Sequence, residues 1–179
     1  NADEFAQVYP FVPYQFKLLQ QVFEEIRRHG ATGKHLSEGE RSLLSAFQEA
    51  AQTIINSEEG KIIPFSTFYS PIESFLDSNI RRVIENAKLN DNLEDYDVEV
   101  LKLLFLIRYV NGVSANLENI TTLLVTEINE DKIALQEKIE ASLRRLLSES
   151  LIQRNGEEYF FLTNEEQDIN REINSMNVD

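Results

Sequence analysis

The sequence predicts a mainly α-helical protein. An N-terminal helical subdomain covers residues 1–89, an acidic linker covers 90–97, and a second helical subdomain over 98–179 carries a small β-hairpin and a C-terminal helix. Three features predict this. Apolar residues recur at helical spacing through most of the chain. Capping residues and glycines mark where the periodic runs begin and stop. Asn155-Gly156 stands between two short apolar runs, the strongest local hairpin signal, because both turn residues need φ > 0.

The first helix is expected from Pro13 to Arg28. Proline suits its first turn, and Phe16, Leu19, Val22, Phe23 and Ile26 follow on one face. Arg27 and Arg28 complement the C-terminal dipole, and Gly30 suits the position just beyond the end. Ser37 and Glu40 form a capping box for a second helix over Glu38–Asn56, with Leu43, Leu44, Phe47, Ala50, Ala51, Ile54 and Ile55 as its apolar stripe. Ser57–Tyr69 is aromatic and irregular, and reads as an extended segment laid over the core. Ser70-Pro71-Ile72-Glu73 opens a third helix, expected to run unbroken to Leu89 with Ile72, Phe75, Leu76, Ile80, Val83, Ile84 and Ala87 inward.

After the polar stretch Asn90–Tyr96 the rhythm changes. Val98–Val110 is a very apolar helix stopped by Asn111-Gly112. Leu117–Leu124 is a short helix. Asp131–Glu149 is a longer one, with Ile133, Leu135, Ile139, Leu143, Leu146 and Leu147 expected inward. Leu151–Leu162 is the hairpin, and Thr163 with Glu166 caps a last helix carrying Ile169 and Ile173. Three helices followed by a hairpin is the winged-helix order, and the third helix stands where such domains place their recognition helix.

Composition excludes several function classes. With no cysteine there is no disulfide framework or thiolate metal site, and two histidines, His29 and His35, make a His-rich zinc site unexpected. No apolar run approaches the roughly 18 residues of a membrane span, so no membrane role and a cytoplasmic location are expected. The chain opens on Asn1-Ala2 without an initiator Met, as an excised piece of a longer protein would. The net charge of −14 disfavours non-specific binding to phosphate backbones. That charge is uneven. Six acidic residues between Glu85 and Glu99 face only Lys88, and seven from Glu157 onward face only Arg171. Tyr14–Arg41, with five basic and four acidic residues, is nearly neutral.

No candidate catalytic set is complete. His29-Gly30-Ala31-Thr32-Gly33-Lys34-His35 invites a phosphate-loop reading, but Arg28 occupies the place of the first glycine, and His35 supplies no hydroxyl for Mg²⁺. Glu24-Glu25 and Glu165-Glu166 read as helix faces or caps, not as a glycosidase pair. Tyr9, Phe11, Tyr14 and Phe16 alternate with Pro10 and Pro13 as a packed segment would. Arg41, in the first turn of the Ser37-capped helix, could fork onto a phosphate at that helix's N-terminus, or pair with a neighbouring Glu on a solvated face. On the third helix of the second subdomain, Lys132, Lys138, Arg144 and Arg145 are balanced by Asp131, Glu137, Glu140 and Glu149, and Arg154 at the hairpin tip by Glu157 and Glu158. A DNA reader shows a basic stripe; this surface serves either weak DNA contact or protein contact.

Two stretches carry a family resemblance. Tyr9–Ala51, "YPFVPYQFKLLQQVFEEIRRHGATGKHLSEGERSLLSAFQEAA", resembles a segment of the large P-loop ATPase of bacterial BREX phage-defence systems, the component lettered C. Tyr159–Ile173, "YFFLTNEEQDINREI", is similar to a later segment of the same family. The family's Walker A and B motifs have no counterpart here. The resemblance therefore implies a non-catalytic piece downstream of the nucleotide-binding core, with ATP and Mg²⁺ bound only by the parent protein. It implies that the N-terminal subdomain is a lid of the AAA+ type followed by the winged helix. In that context Gly39-Glu40-Arg41 resembles the sensor-2 motif, with the arginine one place closer to the glycine, and Arg41 is the implied phosphate contact. Such an arginine would stabilise charge on the transferring phosphoryl group. The implied partners are the parent ATPase core or other BREX components, with DNA contact weak in isolation. Two other readings stay open: a freestanding winged-helix transcriptional regulator, and an acidic protein-interaction scaffold.

Overall fold

The computed structural model describes residues 13–29, 44–45, 48–52 and 60–178. The expectations for Arg41, His35, the Ser37–Glu40 cap, Leu43, Phe47, Ile54 and Ile55 lie outside the described residues. The described residues form a mainly helical fold with one two-stranded antiparallel sheet.

Helix α1 spans Pro13–Arg28 and buries Leu18, Leu19, Val22, Phe23 and Ile26. Gln15 is also fully buried, whereas Phe16, expected inward, is exposed. At helical spacing Gln15 falls in the middle of the stripe and Phe16 at its margin. The Gln15 amide avoids a desolvation penalty by donating to the Ile63 carbonyl at 2.6 Å. Residues 44–45 and 48–52 are helical; Ala50 is buried, but Leu44, expected on the apolar stripe, is exposed.

The extended segment before the aromatic turn does lie on the core, with Ile63 and Phe65 buried. It also pairs antiparallel with residues far along the chain. The Ile62 amide donates to Thr126 O at 2.8 Å, the Ile128 amide donates to Gly60 O at 2.9 Å, and Lys61 pairs with Glu127.

The expected unbroken helix from Ser70 to Leu89 is instead three pieces. A 3-10 turn, Phe65–Phe68, leads into one helical turn, α2 (Tyr69–Ile72), and a second 3-10 turn, Glu73–Phe75. The chain then straightens at Leu76 (ψ 154°), and Asp77 caps α3 (Ser78–Lys88) by accepting from the Asn79 amide at 2.8 Å. The Asp77 cap satisfies a free helix amide that a continuous helix would not have, and Leu76 still reaches the core. The Ser70–Glu73 capping box therefore does not form, and α2 has no side-chain cap.

Helix α4 starts at Asp95, three residues before Val98, and runs to Ile107. It is the hub of the molecule, packing against α1, α3, the first 3-10 turn and the elements that follow. Val100, Leu101, Leu103, Leu104 and Phe105 are all essentially inaccessible, so the helix is apolar nearly all round. The Phe105 ring meets Tyr69 edge-on at 6.0 Å and Phe161 at 5.3 Å. Gly112 (φ 87°) turns the chain away after it.

Helices α5 (Leu117–Leu123) and α6 (Lys132–Ser148) follow, then strands β1 (Ile152–Asn155) and β2 (Glu158–Phe161), and helix α7 (Asn164–Met176). The inward face of α6 is Leu135, Ile139, Ser142, Leu143 and Leu146. Ile133, expected inward, is 73% exposed, and Leu147 is only half-buried. At helical spacing Ile133 falls on the side of α6 opposite Leu135, Ile139 and Leu146, and Ser142 takes a core position because it has a buried partner. The buried apolar residues form one continuous cluster from Leu18 to Phe161. Among the described residues, no helix is long and apolar enough to cross a membrane.

Candidate functional site

The hairpin forms, but its turn lies one residue later than expected: Asn155 pairs with Glu158, the loop is Gly156-Glu157, and of these two only Gly156 takes a positive φ, as a turn with glycine in its first position requires. Ile152 pairs with Phe161 and Arg154 with Tyr159, and Gly156 (φ 64°) makes the turn. Ile152 and Phe161 sit on the core side, which anchors the hairpin base. Strand β2 has a second neighbour. The Tyr159 amide donates to Ala115 O at 3.0 Å, Asn116 bridges Glu158, and the Ser114 hydroxyl donates to Glu158 Oε1 at 2.5 Å. The residues just before α5 thus act as a one-residue third strand. Asn116 then caps α5 by accepting from the Asn119 amide at 2.8 Å.

Asp131 caps α6, accepting from the Ile133 and Ala134 amides at 3.0 and 3.2 Å. That fixes where the helix starts and which face it turns outward. Where α6, the start of α5 and the hairpin meet, a cleft of about 450 Å³ opens. Arg144 and Arg154 line it, interleaved with Glu118, Glu140 and Glu157, and Leu143, Leu147 and Tyr159 supply apolar wall. Three carboxylates against two guanidinium groups leave it slightly acidic.

The five cations expected on this surface have different fates. Arg144 and Arg154 come together at the cleft. Arg154 is held there, its Nε donating to Gly156 O at 2.9 Å and its guanidinium over the Tyr159 ring at 5.6 Å. Lys132 is exposed at the first position of α6, away from the cleft residues. Lys138 turns to the opposite side, its Nζ 3.8 Å from the centre of the Tyr96 ring. Burial pushes the Tyr96 hydroxyl up to about 12, with Glu130 and Glu99 adding to the shift. A neutral phenol ring is what a lysine can sit on.

Arg145 serves the structure. Its Nε donates to Asp97 Oδ2 at 2.7 Å and its Nη2 to Asp97 Oδ1 at 2.9 Å, a two-pronged grip. The Ser142 hydroxyl donates to the same carboxylate at 2.5 Å, and the Glu94 amide at 2.9 Å. Asp97 is fully buried. Burial alone would raise its carboxyl, but the donors from Arg145, Ser142 and the Glu94 backbone outweigh it and hold the group below its ordinary value. This node pins the first turn of α4 to the middle of α6. In the sequence, Asp97 belongs to an acidic run and Arg145 to a basic pair. The only available signal was Ser142 and Arg145, three apart on the apolar side of α6.

Arg41 lies outside the described residues. His29 stacks on Tyr109 with ring centres 4.3 Å apart and lies 3.6 Å from Glu25, so it joins the end of α1 to the end of α4. Among the described residues, no group of three or more His, Asp or Glu side chains could hold a metal ion. No protein-family model matches the chain, and no solved structure matches it.

Proposed function

We propose that this chain is a non-catalytic adaptor module of a BREX-type phage-defence ATPase, in which a helical N-terminal part passes the parent's nucleotide state to a winged-helix part that engages a protein partner. The family assignment rests on the resemblance of Tyr9–Ala51 and Tyr159–Ile173. The winged-helix reading is supported by the order α4, bridge residue Asn116, α5, α6, β1, β2, with β2 between β1 and the bridge.

The observation that carries partner engagement over DNA reading is the fate of the cations on α6. Arg145 is committed to Asp97 and Lys138 to Tyr96. The remaining arginines at the cleft are interleaved with Glu118, Glu140 and Glu157. A duplex phosphate laid there would meet more carboxylate than guanidinium, whereas a polypeptide with both charge signs and an apolar side chain would find a match for each. A freestanding transcriptional regulator needs the basic stripe that this surface lacks.

Co-purification with the separately expressed parent ATPase core and the other BREX components tests the proposal. The wild-type chain is retained by one of them, and a folded Arg144→Glu/Arg154→Glu variant is lost. Equal retention of the variant, or ATP turnover by the chain alone, overturns it.

A further inference from the structure

Helix α7 is amphipathic the wrong way round. Its capping box is complete, with the Thr163 hydroxyl accepting from the Glu166 amide and the Glu166 carboxylate accepting from the Thr163 amide. The Arg108 guanidinium donates to Glu166 at 2.9 Å and fastens the helix start to the body. Yet the only buried residue of its 13 is Gln167, whose amide donates to Leu162 O at 3.0 Å. The apolar residues point the other way. Ile169, Ile173 and Met176, spaced four and three apart, are 58%, 52% and 76% exposed. At helical spacing they share one stripe, on the side opposite Gln167. The stripe is not part of the α6 cleft, none of whose lining residues belongs to α7.

A helix that keeps a glutamine against its own body and turns two isoleucines and a methionine to water presents a docking face. The surrounding charge selects its occupant. Glu165 and Glu172 border the stripe on one side and Glu166 on the other, while Arg171 falls on the far face, 3.8 Å from Asp168. A second copy of this chain would bring the same carboxylates against each other, in a protein that already carries −14. We propose that α7 docks a basic amphipathic helix of another protein, its apolar face on Ile169, Ile173 and Met176 and its lysines or arginines against Glu165 and Glu172. Helix-on-helix docking of this kind reads anchors at the spacing found here.

The probe is a synthetic amphipathic helix with a leucine face and a lysine face, compared with a counterpart carrying glutamate in place of lysine. Binding to the full chain is followed by fluorescence anisotropy of the labelled peptide. The basic peptide binds saturably and the acidic one does not. Ile169→Ser with Ile173→Ser weakens the basic peptide at least tenfold while circular dichroism stays that of the wild type, since both side chains are exposed. Glu165→Gln with Glu172→Gln weakens it several-fold and flattens its salt dependence. Unchanged binding by the isoleucine variant reduces the interaction to diffuse charge attraction and overturns the proposal. So does equal binding of the acidic peptide, or self-association of the chain that the isoleucine variant abolishes.

Discussion

The Asp97–Arg145 pair makes a prediction in which direction and pH dependence are both set by geometry. Asp97 is fully buried, whereas the Arg145 side chain is 32% exposed. Arg145→Met keeps most of the aliphatic stem but leaves a buried carboxylate with only Ser142 and the Glu94 amide as donors. Removing one partner of a buried pair costs about 3–5 kcal/mol, and the partial exposure here places the loss near the lower end, about 3 kcal/mol. For a chain of this size that corresponds to a fall in Tm of roughly 6–12 °C. Asp97→Asn leaves an arginine that can turn to water, so its cost is smaller, about 1.5–2 kcal/mol. In the wild type the folded Asp97 carboxyl is held below its unfolded value. Its contribution is therefore present above the unfolded value and lost as pH falls through the folded one. In Arg145→Met the raising effect of burial loses its main opponent and the folded value rises. That variant regains relative stability as the carboxyl protonates, so its deficit against wild type narrows from pH 7 towards about pH 4. Urea unfolding followed by circular dichroism across that range measures both effects. A deficit that stays constant with pH, or one no larger than that of Asp97→Asn, refutes the reasoning.

Three further outcomes are expected. Phe105→Ala removes a fully buried ring touching Tyr69 and Phe161 and costs about 3–5 kcal/mol in urea unfolding; a loss under about 1 kcal/mol would mean that α4 is not the centre of the core. Ser150 holds φ at 58°, in the left-handed region, between α6 and β1. Ser150→Gly relieves that strain at some entropic cost and raises stability by about 0.5 kcal/mol, visible as a small upward shift in Tm. If the chain belongs to a BREX-type ATPase as proposed, Arg41→Ala in that protein lowers ATP turnover at least tenfold while the melting curve is unchanged; unchanged turnover removes Arg41 from the nucleotide site.

Much of the fold was legible because its elements are locally coded. The α1 stripe, the apolar run of α4 and the hairpin each announce themselves within a dozen residues, although the hairpin turns at Gly156-Glu157 and not at Asn155-Gly156. Local spacing misleads where a distant partner decides. Gln15 is buried because Ile63, 48 residues on, offers a carbonyl. Ser142, a polar residue at a position of the apolar stripe of α6, is buried because Asp97 lies opposite it and accepts from its hydroxyl. The break at Leu76–Asp77 was written in the sequence as an aspartate two places before Asn79, but Ser70-Pro71 offered a competing start, and spacing does not rank the two. The expected cations fall on α6 and the hairpin tip, and two of them, Arg144 and Arg154, come together at the cleft. Its near-neutral balance is legible in the count of charges, but the engagement of Arg145 with Asp97 and of Lys138 with Tyr96 is not, because those partners stand far back along the chain, on α4.

What the α6–hairpin surface meets is addressed by one titration: anisotropy of a labelled duplex DNA with increasing amounts of the chain, at about 0.15 M salt and again at lower salt. A protein-contact surface gives no saturable binding at the higher salt and, at low salt, only weak association that Arg144→Ala/Arg154→Ala leaves unchanged. Saturable, salt-sensitive duplex binding that the double variant abolishes would contradict this expectation and make this surface a DNA reader.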